Sequence, residues 1–218
     1  MDSGLFVFAN CLVKGATKRR CFSHVVPNGR GYPVSLAAYI LAAIQVLPTF
    51  HEDVGEVFAE EKRVQTSLIA DAVSDVASNA QGWPGSSREL AALMLTVAWH
   101  ETRFSLRIHE GRCRPYECDE GRARGLWQLH SHRSLPRERW LALAGVDATA
   151  THSSAEEAAR ALIRSRRMCL SKIRGPDWVA PTLAAFAGRG CGGRLPDAAA
   201  RVKTFRHLMS IVPKGNAA

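Results

Sequence analysis

Glu101 is the side chain whose type and position most clearly suggest chemistry. Within residues 90–104, LAALMLTVAWHETRF, Leu90, Leu93, Met94, Val97 and Glu101 fall on one face of a helix of 3.6-residue period. The pattern predicts an amphipathic helix with a carboxylate on its apolar stripe. Burying an ionised carboxylate is costly. Such a glutamate is therefore held protonated, as a general acid requires, or it bends out at the helix end and pairs with Arg103 or a later arginine.

Other chemical constellations are weaker. His100-Glu101 begins the zinc-protease pattern H-E-x-x-H, but residue 104 is Phe, so the second histidine on that face is absent. His109, Cys113, Cys118, His130 and His132 are zinc-ligand types, yet a small disulfide loop, Cys113 to Cys118, is the simpler account and no metal is expected. Cys169 and Cys191 form a second candidate pair, which suits an oxidising compartment; the alternative is free buried thiols in a cytosolic protein. No phosphate-binding glycine loop and no G-x-S-x-G occurs, so neither nucleotide hydrolysis nor serine-hydrolase chemistry is indicated. No cofactor is expected. The glycines at 188–193 fit a tight turn.

The elements that must position Glu101 come next. The chain has 218 residues, 46% of them apolar, and a formal charge of +9, most of it from arginine. Such charge suits nucleic acid, an anionic membrane surface or an anionic wall polymer. The basic residues between Arg103 and Arg139 could form a nucleic-acid surface on which Trp127 and Trp140 stack bases, but a salt-bridged solvated loop is favoured and no nucleic-acid partner is expected. Residues 1–33 lack a sustained period and are expected to be disordered, or to lie upstream of a true translation start near Val34. Residues 34–50 form an uncharged apolar run, shorter than a bilayer span, so no stable membrane span is expected. The run reads as a buried helix, an interfacial anchor or an export signal, and its basic flank favours the last two.

A helical lead-in follows over 51–85, with one long helix or two across 52–79. Ser86 and Glu89 fit a capping box that starts the Glu101 helix. Residues 105–137 form a long irregular segment containing Gly125-Leu126-Trp127-Gln128-Leu129, a short strand or a turn into the core. Further helices are expected over 137–144, from a cap at Ser153 or Ser154 to about 172, over 177–187 and over 196–210, with a tail at 213–218. The fold class is mainly α.

Three pieces, AWHETRF (98–104), ARGLWQLH (123–130) and LAAFAGRGCGG (183–193), resemble the lysozyme-like superfamily, in particular soluble lytic transglycosylases and goose-type lysozymes. That family carries E-S-x-F at a helix end, then a G-x-x-G-L-M-Q-like turn, then an A-Y-N-A-G-x-G-like segment. The resemblance covers about 86–210 and implies a catalytic domain over 86–212, a helical fold with a small irregular or β-like segment beside a glycan-binding cleft. It implies that Glu101 is the catalytic acid/base and that Thr102 stands where the family's serine supports the site. Gly125, Leu126 and Gln128 would shape the cleft floor, with Trp127 where Met is usual and Gln128 facing the sugar's N-acetyl group. Phe186 and Gly188 would complete the cleft. The family's tyrosine hydroxyl, which contacts the catalytic glutamate, is missing here.

The implied activity is cleavage of the β-1,4 bond between N-acetylmuramic acid and N-acetylglucosamine in peptidoglycan by a lytic transglycosylase using one glutamate. The alternatives are a muramidase, with Glu110, Glu117, Asp119 or Glu120 as second carboxylate, or an inactive wall-binding protein. The chain is expected to be a monomer. It is expected to be exported to the periplasm, envelope or exterior, or to act in phage lysis or a virion.

Overall fold

The computed structural model describes residues 9–11, 21–23, 35–48, 56–132, 135–173 and 177–212. The chain divides into two units, Met1–Pro33 with Gly215–Ala218, and Val34–Lys214. The first contains β1 (Ala9–Cys11) and β2 (Cys21–Ser23), antiparallel, with Ala9 opposite Ser23 and Cys11 opposite Cys21. These six positions are the described part of the stretch expected to be disordered or to lie upstream of the start. The rest of that stretch, and the tail expected at 213–218, lie outside the described residues.

The second unit is mainly helical. In order it contains α1 (Leu36–Gln45), α2 (Glu56–Asn79), α3 (Ser87–Thr102), α4 (Leu106–His109), α5 (Cys118–Gly121), β3 (Ala123–Arg124), β4 (Leu129–His130), α6 (Arg137–Leu141), α7 (Ala148–Cys169), α8 (Val179–Phe186) and α9 (Ala198–Ser210).

α3 is the axis of this unit. Ser86 caps it: its Oγ accepts from the Glu89 amide at 3.2 Å, and the Glu89 carboxylate accepts from the Ser86 amide at 2.7 Å. Such a reciprocal cap contributes about 1 kcal/mol. Residues Leu90 to Ala98 are buried on every side, including Ala91, Ala92, Leu95 and Thr96. The expected amphipathic stripe is thus corrected. Nothing charged lies between Leu90 and Ala98, so the helix can be enclosed all round, here by α1, α2, α7 and α9. Polar exposure resumes only in its last turn, at Trp99, His100 and Glu101.

The apolar run after Val34 is a core helix. Tyr39, Ile40, Ala43 and Ile44 of α1 are buried in the same cluster as α3, and the Tyr39 hydroxyl donates to the Leu208 carbonyl at 3.0 Å. Of the three readings of this run, the structure places it as a buried helix, and α1 covers apolar surfaces of α2 and α3. No helix among the described residues is long and apolar enough to cross a membrane. α2 is one helix, and Ile69, Ala70, Val73 and Ala77 bury its second half. The lead-in and the domain expected to begin at 86 therefore share one core.

α7 starts earlier than the Ser153 or Ser154 cap predicts. Asp147 is its N-cap, accepting from the Ala150 amide at 2.9 Å, and Ser154 is buried inside the helix. Glu157 on α7 is buried too, and Arg139 and Arg160 each reach it at 2.6 Å. Two disulfides are present, Cys113–Cys118 and Cys169–Cys191.

Candidate active site

Two consecutive left-handed residues, Arg103 (φ 52°) and Phe104 (φ 54°), stop α3. Phe104 turns into the core and Lys62 of α2 donates to its carbonyl. The stop leaves Glu101 in the last helical turn, its side chain 25% exposed. The apolar wall expected around it is not what the structure provides. Arg201 of α9 donates from Nη1 to Glu101 Oε1 at 2.7 Å. Of the two outcomes the sequence leaves open for a glutamate here, pairing with a later arginine is the observed one.

Arg201 is itself anchored. Its Nε donates to Asp197 Oδ2 at 2.7 Å, one helical turn earlier. Burial drives the Asp197 carboxyl upward, but the Arg201 hydrogen bond and charge outweigh it and hold the group below the usual carboxylate range. His100 completes the cluster, with Nδ1 3.4 Å from Asp197 Oδ2 and Nε2 3.0 Å from the Thr204 hydroxyl. Burial first, then the Arg201 charge, lowers the His100 pKa to about 4, so the ring is neutral at pH 7. Asp197 only accepts, which assigns the His100 proton to Nδ1 and leaves Nε2 to accept from Thr204. Arg103 lies over the Trp99 ring at 3.5 Å, and Trp99 Nε1 donates to the Pro48 carbonyl at 3.0 Å.

Thr102 joins the first two sequence pieces. Its buried hydroxyl lies 2.8 Å from the Ala98 carbonyl and 3.3 Å from that of Leu126. The 125–128 turn links β3 to β4 and closes through the Gln128 amide on the Gly125 carbonyl at 3.2 Å. Gly125 is needed there: its φ is +65°, and a Cβ would stand 2.9 Å from the Leu143 carbonyl oxygen.

The turn's side chains depart from the expected cleft floor. Leu126 and Trp127 are fully buried, and Trp127 Nε1 donates to the Met94 carbonyl at 3.0 Å. Trp127 is therefore corrected from a sugar-contacting residue to the pin that holds the turn against the middle of α3. Gln128 folds its amide nitrogen back onto the Gly125 carbonyl at 2.9 Å, with Cys118 Sγ at 3.6 Å.

Phe186 ends α8 and packs half-buried against the core; Gly188 (φ +73°) follows in the turn tied to α7 by Cys169–Cys191. No hydrogen bond or ion pair among the described residues joins either of them to Glu101. The second-carboxylate candidates are engaged locally. Glu117 receives two bonds from Arg107, at 2.6 and 2.7 Å, and these hold its carboxyl below the usual range. Glu110 pairs with Arg112, and Asp119 and Glu120 both pair with Arg122.

The zinc alternative loses its donors. Cys113 and Cys118 are bonded to each other. His109 is buried between Gln65 Nε2 and the Thr151 hydroxyl, each at 3.1 Å, and burial lowers its pKa to about 4. Among the described residues no group of three His, Cys, Asp or Glu side chains is arranged to hold a metal ion.

The sequence pointed to a later arginine without saying which, and Asp197 was not foreseen beside Glu101 or His100. The Asp197–Arg201 pair at i, i+4 was a readable signal that the final helix carries a fixed guanidinium. Nothing local linked that helix to residue 101. No protein-family model, curated protein or solved structure matches the chain.

Proposed function

We propose that the protein cleaves the glycan strands of peptidoglycan as a lytic transglycosylase, with Glu101 as its single acid/base. The observation that carries this reading is a solvent-open carboxylate at the end of a helix buried on all sides, held by an arginine and adjoining the 125–128 turn through Thr102. Rigid placement of one acid is what such chemistry requires.

In the proposed reaction Glu101 gives its proton to the glycosidic oxygen as the bond to the muramyl C1 breaks. The resulting carboxylate then takes the proton of the muramyl 6-hydroxyl, whose oxygen bonds to C1. A 1,6-anhydro end forms, Glu101 is reprotonated and no water is consumed. Among the described residues no hydrogen bond or ion pair joins Glu110, Glu117, Asp119 or Glu120 to Glu101 or Arg201, which supports a one-carboxylate route over a muramidase. Net charge of +9 suits an anionic wall polymer.

A zymogram on purified murein tests the proposal. The native chain should clear it and Glu101→Gln should not, and the products should carry anhydro ends. Hydrated reducing ends would instead favour a muramidase. The Glu101–Arg201 pair also favours a second reading, an inactive wall-binding protein whose former acid is neutralised by a cation. That reading requires murein binding with no clearing by the native chain.

A further inference from the structure

We infer that Arg201 is the positioning residue of Glu101, orienting its carboxylate and stabilising the charge left on it when its proton departs. The inference rests on the glycan-cleaving reading above. Arg201 is 7% exposed and held at two points, Nε to Asp197 Oδ2 and Nη1 to Glu101 Oε1, both at 2.7 Å. A guanidinium is planar, so fixing Nε on its own helix fixes the direction in which Nη1 points. α9 thereby dictates the rotamer of a side chain on α3.

The charged and titratable groups around the pair are few. α9 contributes Asp197 beside Arg201, and α3 contributes His100 and Arg103 beside Glu101. His100 is neutral at pH 7, and Asp197 offsets one cation. A fixed cation therefore remains beside the carboxylate.

The chemical consequence is asymmetric. When Glu101 gives its proton to the leaving oxygen, negative charge forms next to Arg201 and is stabilised without reorganisation. When Glu101 takes the proton from the 6-hydroxyl, that charge disappears and the stabilisation is lost. Arg201 thus favours the acid step and opposes the base step.

Soluble glycan strands and three variants give the test. Arg201→Gln should lower kcat about 10- to 100-fold and leave KM within about twofold. Arg201→Lys keeps the charge but loses the two-point hold, so kcat falls less. Asp197→Asn frees the guanidinium without discharging it, so kcat falls with KM again unchanged. A purely structural role would lower activity and folding stability together in all three with no recovery in Arg201→Lys, and that result overturns the assignment. So does a rise in KM at unchanged kcat. If Glu101→Gln is inactive while Arg201→Gln matches the native chain at every pH, only the role of Arg201 falls. If Glu101→Gln still clears murein, or the native chain never does, both the glycan-cleaving reading and this assignment fall.

Discussion

Lowering the pH from 7 to 5 should destabilise the protein through two buried histidines. His100 and His109 both have their pKa lowered to about 4 by burial, against 6.5 in an unfolded chain. The unfolded state then binds more protons between these values. The stability from keeping the rings neutral is full above about 6.5 and is lost as pH falls toward 4. Each histidine costs about 2 kcal/mol by pH 5, so the two together cost about 4 kcal/mol, a large share of a typical 5–15 kcal/mol.

The carboxylates act lower down. Asp197 and Glu117 titrate beneath the usual range in the folded state. The stability they supply persists until the pH falls below ordinary carboxylate values. The interval from 6.5 to 5 therefore reports the histidines. Urea unfolding followed by circular dichroism at pH 7, 6 and 5 measures the loss. His109→Gln should roughly halve its slope, because one titrating ring remains. A free energy of unfolding that is flat between pH 7 and 5, or a slope unchanged in His109→Gln, would refute the reasoning.

Three further outcomes follow from packing. Trp127→Phe loses the bond to the Met94 carbonyl and leaves a void, so it should cost about 1–3 kcal/mol in urea unfolding; unchanged stability would contradict the buried placement of the ring. Gly125→Ala forces a side chain into a left-handed turn against the Leu143 carbonyl, and thermal melts should show a loss of about 2–4 kcal/mol. The paired change Cys169→Ser with Cys191→Ser opens a loop of sequence separation 22 and should cost about 3 kcal/mol, seen as a lower urea midpoint than that of the native chain under oxidising conditions.

The helices were legible where local signals agreed. Ser86 and Glu89 announced the start of α3 because a capping box is a short-range device written within four residues. Ser153 and Ser154 offered the same spacing to Glu156 and Glu157 and misled, because the alanine-rich stretch after Asp147 already sustains a helix. α1 looked like an anchor because its sequence records only that it is apolar, not that α2 and α3 lie against it. The site was half legible. Glu101 stood out as an acid on an apolar face, but its partner lies a hundred residues away on α9, and only tertiary packing brings the two together. Trp127 was misread because an aromatic in a glycine turn gives no sign of which way it points.

The enclosure of α3 has a consequence for how the site fluctuates. Amides in Leu90 to Ala98 have no exposed face through which to open locally. Their hydrogen exchange should proceed only through global unfolding, which places α3 in the most stable cooperative unit of the fold. Glu101 is the last full turn of that unit and shares its protection on the N-terminal side. Any substitution that weakens the core, however distant, raises the population in which α3 is open by the same factor as it shifts the global unfolding equilibrium.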